Sequence, residues 1–281
     1  MFLLSSNITI VIPRRGINDE GKGKKHALYR LISEAQTEYV WMQDDDVIIK
    51  NDELRMMNLS FESLQDKKDN MDVDHSKFKI QNSKFDLLIL PLRMESENEH
   101  PSLLERLQIA EYAAIQQLTI ESAQKGKAVM CSGANLIVRR DRWLESYPDL
   151  HPEIPSGDDM FLLESFKRRG LKIAVLDDPQ FEAIVRPQTS WRTFFRQRMR
   201  WAGKAPKYTD KDIICCGAII LFANLLQLLC PLVLFVKFPI EYRLIKKRDA
   251  SVSLFTAFVL GLCYPIYMLV SLIGGLFRHQ W

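Results

Sequence analysis

The chain has 281 residues, 38 Lys and Arg against 35 Asp and Glu, a formal net charge of +3 and 47% hydrophobic residues. That length supports a sizeable core, the composition excludes wholesale disorder, and the near-neutral balance argues against nucleic acid as a partner. The mean hydropathy of −0.11 hides a segregation, because no charge occurs in the 24 residues from Ile213 to Val236 or in the 27 from Ser251 to Phe277. Each run exceeds the roughly 20 apolar residues of a spanning helix. The expected organisation is therefore a globular part over 1–189, a basic aromatic helix over 190–212, and a membrane region over 213–281 with two spans, 213–236 and 251–277.

In chain order, the β-branched run Ile8–Ile12 predicts a strand closed by Pro13. A basic, glycine-rich loop through Gly21, Lys22, Gly23, Lys24 and Lys25 leads into a helix expected over His26–Ala35. Glu38–Met42 predicts a second strand that runs into Asp44, Asp45 and Asp46, and Asp86–Pro91 a third. Residues 60–84 are polar and charged, so an exposed insertion is expected. Pro101–Lys125 reads as a long helix with Leu103, Leu104, Leu107, Ala110 and Ala114 on one buried face. Ala134–Val138 and Lys172–Leu176 read as strands. Ser156–Gly170 reads as a helix with acidic residues at its start, basic residues in its last turn and a glycine stop. Alternating strands and helices predict a mainly parallel α/β sheet. The five cysteines form no Cys-x-x-Cys pair and the five histidines are scattered, so neither a disulfide scaffold nor a zinc site is indicated. The N-terminus lacks the basic region and apolar length of a signal peptide.

Four segments carry candidate chemistry. Asp44 and Asp46 follow a strand, where open α/β sheets bind ligands, and carboxylates at i and i+2 there can share a Mg²⁺ or Mn²⁺ ion. A solvated acidic turn has the same composition. Lys22, Lys24 and Lys25 can meet a diphosphate, although the spacing is not that of the common phosphate-binding loop. Asp158 and Asp159 open a helix, where acidic residues are favoured in any case; the functional alternative is a general base for a sugar hydroxyl. Ser190–Ala202 places Trp191, Phe194, Phe195, Met199 and Ala202 on one stripe and Arg192, Arg196 and Arg200 on another. Such a helix can lie on a membrane, or its Gln197, Arg200 and Trp201 can close over an anion. Trp143, Tyr147 and His151 are assigned to packing.

The order of these segments resembles glycosyltransferase family 2, the membrane-bound inverting sugar transferases of the GT-A fold. Gly23-Lys24 with Ala27-Leu28 resembles its GKxxAL segment, Asp44-x-Asp46 its DxD, and Ser132-Gly133-Ala134-Asn135 with Arg139-Arg140 its SGxN segment. Gly157-Asp158-Asp159 resembles its GDD motif and Gln197-Arg198-Met199-Arg200-Trp201 matches QxxRW. The resemblance implies a Rossmann-like nucleotide-diphospho-sugar transferase domain followed by transmembrane helices. It implies that Lys24, Asp44 and Asp46 hold the nucleotide-sugar diphosphate, with Asp44 and Asp46 on the metal. Asp159 is then the general base, and Asp158, Gln197, Arg200 and Trp201 border acceptor and diphosphate. The family usually begins with strands ending in a VDDxS-like sequence, and no such Asp precedes the Gly-Lys loop here. The resemblance thus implies an N-terminally truncated domain: a fragment, the product of a late start codon, or a chain completed by one encoded upstream.

Basic residues number seven from Arg192 to Lys211 and one in the tail, against five in the loop between the apolar runs. That bias favours a cytosolic globular part on a multi-pass protein of the inner cell membrane. Asn224, Gln227 and Pro231 in the first run leave a re-entrant hairpin open. Two spans make a poor polymer channel, so a lipid-linked or glycan acceptor at the membrane is expected. Two competing readings are a non-catalytic relative acting as a membrane-bound partner subunit, and a nucleotidyl- or phosphotransferase on a similar sheet.

Overall fold

The computed structural model describes residues 2–5, 8–13, 23–48, 85–154 and 156–277. The expected insertion over 60–84 and the Gly21-Lys22 part of the basic loop lie outside these residues. Strands β1 (Phe2–Ser5) and β2 (Ile8–Val11) precede α1 (Lys24–Glu34) and β3 (Tyr39–Met42). Strands β4 (Leu87–Ile89) and β5 (Leu92–Met94) lead to α2 (Leu103–Gln124), β6 (Leu136–Arg139), α3 (Arg140–Ser146) and α4 (Asp158–Arg168). Then come β7 (Ile173–Val175), β8 (Ala183–Val185) and α5 (Trp191–Ala202). The chain closes with α6 (Lys211–Leu229), α7 (Val233–Arg248) and α8 (Leu254–Leu276).

Six strands form one sheet in the order β1-β2-β3-β6-β4-β7, and β5 and β8 form a second. The large sheet is mixed, which corrects the mainly parallel expectation. β2 with β3 and β4 with β7 are parallel, whereas β6 runs antiparallel to both β3 and β4. The segment after α2 brings Gly133 to the carboxyl end of β3, within hydrogen-bonding distance of Asp159, so β6 starts there and must run back down the sheet. Alternation of element types carries no information about strand direction. β1 is also an addition: the chain opens with an antiparallel pair rather than a single strand.

Alternate strand residues face opposite sides of the sheet, as the pleat requires. Val11, Val40, Met42, Leu136 and Val138 pack under α1, α3 and α4, where Leu28, Trp143 and Phe166 are fully enclosed. Ile8, Ile10, Trp41, Leu88 and Ile137 face Leu176 and Phe181. α2 begins with a complete capping box between Ser102 and Glu105. Its expected apolar stripe is only partly buried, since Leu103 is 43% exposed while Gln108, Glu111, Gln116 and Gln117 are buried. The reason is that α2 packs on the sheet and on the C-terminal helices at once, so no single face defines its inside.

The first apolar run does not form one helix. α6 ends at Leu229, Cys230 and Pro231 break the ladder, and residues 233–236 begin α7. α6 and α8 are long and apolar enough to cross a membrane.

Asn135 ties the sheet to its loops. Its side-chain NH₂ donates to the carbonyls of Pro91 (2.9 Å) and Phe181 (2.8 Å), and its oxygen accepts from the Trp41 indole N–H (2.8 Å). Asn135→Ala strands all three buried partners, at about 1–3 kcal/mol for each unsatisfied group. A loss of at least about 3 kcal/mol in unfolding free energy, read by denaturant titration in detergent, is expected.

Candidate active site

Three segments converge at the carboxyl end of β3. Lys24 stands at the first position of α1, behind Gly23. Asp44 lies two residues beyond β3, and Asp158 opens α4. The Lys24 ammonium sits 2.6 Å from Asp44 Oδ1 and 3.1 Å from Asp158 Oδ2. The second contact is an ion pair without hydrogen-bond alignment, since Asp158 Oδ2 has no aligned donor. Asp159 Oδ1 accepts from its neighbour Met160 N–H at 2.8 Å, and its Oδ2 lies 3.4 Å from the Gly133 N–H. The Cys131 thiol donates to the Asp159 carbonyl at 3.2 Å.

Helix capping does not account for Asp158. The N-cap of α4 is Gly157, at φ +85°, with no side-chain capping bond, and Asp158 is spent on Lys24. Gly157 is required twice over. Its left-handed backbone disfavours a side chain, and an added Cβ would sit 2.8 Å from Lys204 Cδ.

The electrostatics follow from burial and neighbours. Burial opposes the Lys24 charge, but Asp158 and Asp44 outweigh it and hold the ammonium above the usual lysine range. Burial and Asp158 raise the Asp44 carboxyl, with Lys24 opposing. Asp158 is driven down despite its burial, chiefly by Lys24. Burial and the adjacent Asp158 charge push Asp159 up, with Lys204 opposing. Two neighbouring carboxylates thus have their proton affinities pushed apart, the usual mark of a divided acid–base role.

Lys204 was not singled out by the sequence. It is 8% exposed, and the carboxylates that act on its ammonium are Asp159 and Asp158. Its one sequence signal is position, directly after Gly203 and the Gln-x-x-Arg-Trp segment. Arg200 acts on Lys204 as a like charge from the last turn of α5. Gln197 and Trp201 both contact Arg198. Gln197 accepts from Arg198 at 2.8 Å, and the Trp201 ring lies 4.4 Å from the Arg198 guanidinium carbon. Arg198, which the stripe analysis left without a role, is buried and paired with Glu111 at 2.5 Å. Of the basic loop, Lys24 faces the site, whereas Lys25 turns away to the carbonyls of Leu150 and His151.

Asp44 is partly buried and Asp46 exposed on the turn beside it. Among the described residues no group of three or more His, Cys, Asp or Glu converges as a metal cage. Two carboxylates with open positions nonetheless suit Mg²⁺ or Mn²⁺, which keep waters and phosphate oxygens as further ligands.

The family model described as "Glycosyltransferase like family 2" matches residues 6–204, which takes in β2 to β8, the aspartates and α5. The chain belongs to glycosyltransferase family 2. Comparison with curated proteins finds no match. The glycosyltransferase match ends at Lys204, so α6, α7 and α8 lie beyond it. Enzymes of this family commonly use nucleotide-sugar donors and divalent metals.

Lys25 offers a test of the packing beneath the site. Burial lowers it to about 8, while its ammonium lies against the Phe161 ring. A lysine depressed in the folded state and ordinary in the unfolded one makes stability rise with pH between those two values. Between pH 8 and about 10, wild type should gain on Lys25→Met by about 1 kcal/mol or more, as measured by unfolding at stepped pH.

Proposed function

We propose that this glycosyltransferase moves a sugar from a nucleotide-diphospho-sugar to a lipid-linked or glycan acceptor, with inversion, at a membrane. The observation that carries the reading is Asp159, a carboxyl raised by burial and by Asp158, standing beside the Lys24–Asp44–Asp158 cluster at the carboxyl edge of the sheet. Asp159 takes the proton from the acceptor hydroxyl as that oxygen attacks the anomeric carbon from the face opposite the leaving diphosphate. Asp44 and Asp46 would hold a Mg²⁺ or Mn²⁺ ion, which supplies positive charge to the leaving group. Lys24, Arg200 and Lys204 add fixed positive charge around the same anion, and Asp158 keeps Lys24 in place. Gln197 and Trp201 position the end of α5 and with it the border of the acceptor site. The apolar C-terminal helices supply membrane attachment, and the basic flank of α5 and α6 favours a cytosolic catalytic part.

Two variants separate binding from chemistry. Asp44→Ala/Asp46→Ala should lose metal-dependent binding of UDP- and GDP-sugars in calorimetry. Asp159→Asn should retain binding and lose about 10²–10⁴ in kcat, the usual contribution of a general base. Wild-type kcat should rise with pH through a pKa above the ordinary carboxylate range, because only ionised Asp159 accepts a proton. Absence of nucleotide-sugar binding by the folded wild type would sink the reading.

A further inference from the structure

The C-terminal helices are arranged inside out relative to a protein in water. Asn224 and Gln227 on α6 are buried, at 1% and 6% exposure, while Phe222 and Leu229 on the same helix stand 67% and 85% exposed. The Gln227 NH₂ donates to the Gly261 carbonyl of α8 at 3.0 Å. Lys237, a charged group in the first half of α7, is paired within the bundle with Glu241 (3.3 Å) and donates to Asn224 Oδ1 (2.6 Å). Polar groups turned inward and apolar groups turned outward suit hydrocarbon as the surrounding medium. A second protein copy would not require the polar groups to be satisfied internally.

The start of α6, the end of α7 and both ends of α8 return to the catalytic part. At the start of α6, Lys167 of α4 pairs with Asp210 (2.5 Å) and Asp212 (2.9 Å), and Glu164 accepts the N–H groups of Thr209 and Asp210. At the end of α7, Lys247 pairs with Glu121 of α2 at 2.9 Å, and Arg248 pairs with Asp177 (2.8 Å) and Glu182. The intervening tip, Cys230 to Leu232, carries no charge to meet a far headgroup layer. α8 is accompanied along its length. Ala257 and Leu260 pack with Ala110 and Ala113 of α2, and Tyr267 meets Phe194 of α5 at 5.5 Å. At its end, a Cβ on Gly275 would fall 2.7 Å from the Met199 carbonyl oxygen of α5. A helix of about 34 Å cannot cross a bilayer while both its ends touch one globular part on one side.

We propose that α6, α7 and α8 form a one-sided membrane seat. The α6–α7 hairpin dips into the bilayer and returns, α8 lies along the catalytic part, and the occupant of the exposed apolar surface is the lipid leaflet on the catalytic side. The basic segment Lys246–Arg248 is then on the catalytic side, opposite to its place in a two-span arrangement. The inference rests on the membrane attachment proposed above.

The test uses the full chain, freed of its own cysteines, in sealed vesicles of both orientations with a membrane-impermeant maleimide. Lys125→Cys, on the exposed end of α2, marks the catalytic face. Ser251→Cys should be labelled from that same face and not from the other. If Ser251→Cys elutes in the void volume on gel filtration in detergent, Ala250→Cys takes its place, since Ala250 is equally exposed. A chain retaining only Cys230 should stay unlabelled from both faces until detergent is added. Labelling of position 251 from the opposite face or from neither, or labelling of Cys230 in sealed vesicles, overturns the seat. Release of the wild-type chain by alkaline carbonate would instead overturn membrane attachment itself, so the two failures are distinguishable.

Discussion

Arg198 and Glu111 meet at 2.5 Å between α5 and α2, with each side chain 6% exposed. Removing two ions from water costs several kcal/mol apiece, and attraction offsets this only when the geometry is good and other groups share the charge. Here they do. The guanidinium lies over the rings of Phe194 and Trp201 and donates to Gln197. The pair therefore fixes the rotation of α5 about its own axis. Arg200 in its last turn and Lys204 just beyond inherit that setting, and so does the face of α5 on which α8 packs. Losing either partner would leave a buried charge alone at the joint between the catalytic sheet and the apolar helices.

The site itself is a balance around Lys24. Three carboxylates, Asp44, Asp158 and Asp159, stand near one another at the carboxyl edge of the sheet, where the proposed diphosphate would bind. The ammonium of Lys24 compensates two of them, and Lys204 faces the third. Such a cluster is poised for exchange. A bound cation at Asp44 and Asp46 would compete with Lys24 for Asp44, and a phosphate would draw Lys24 and Lys204 towards itself. Asp158 and Asp159 are separated by environment rather than by chemistry, since one has the lysine and the other has mainly burial and a negative neighbour.

What could be read from the sequence was whatever is written locally. β2 and β3 are short β-branched and aromatic runs with clear stops, and α4 has charges at both ends that match its dipole. The aspartates after β3 and at α4 were legible because strand ends and helix starts are where ligands bind, although only the structure shows that Asp158 meets Lys24 instead of capping. The direction of β6 was not legible, because it depends on where a connection of about ten residues delivers the chain. Arg198 was invisible for a related reason: its partner lies 87 positions away, and a stripe analysis assigns a central arginine to solvent by default. Leu103 failed in the opposite sense, since spacing predicts a buried face only when one face exists to be buried.

On the proposed seat, the close approach of α8 to α5 links the lipid surface to the chemistry. Gly275 lies so near Gly203 that an added Cβ would fall 2.8 Å from its N–H nitrogen, and the next residue is Lys204. Any larger side chain at position 275 would have to push back the backbone that carries Lys204. α8 is thereby one residue removed from a cation on which Asp159 acts. For an acceptor carried on a lipid this is an economical geometry. On the proposed seat its hydroxyl would enter the site from the same surface on which the enzyme rests, so neither sugar nor enzyme would have to leave the interface during transfer. A soluble acceptor would gain nothing from that adjacency, which is why the position of α8 bears on the acceptor as well as on the anchor.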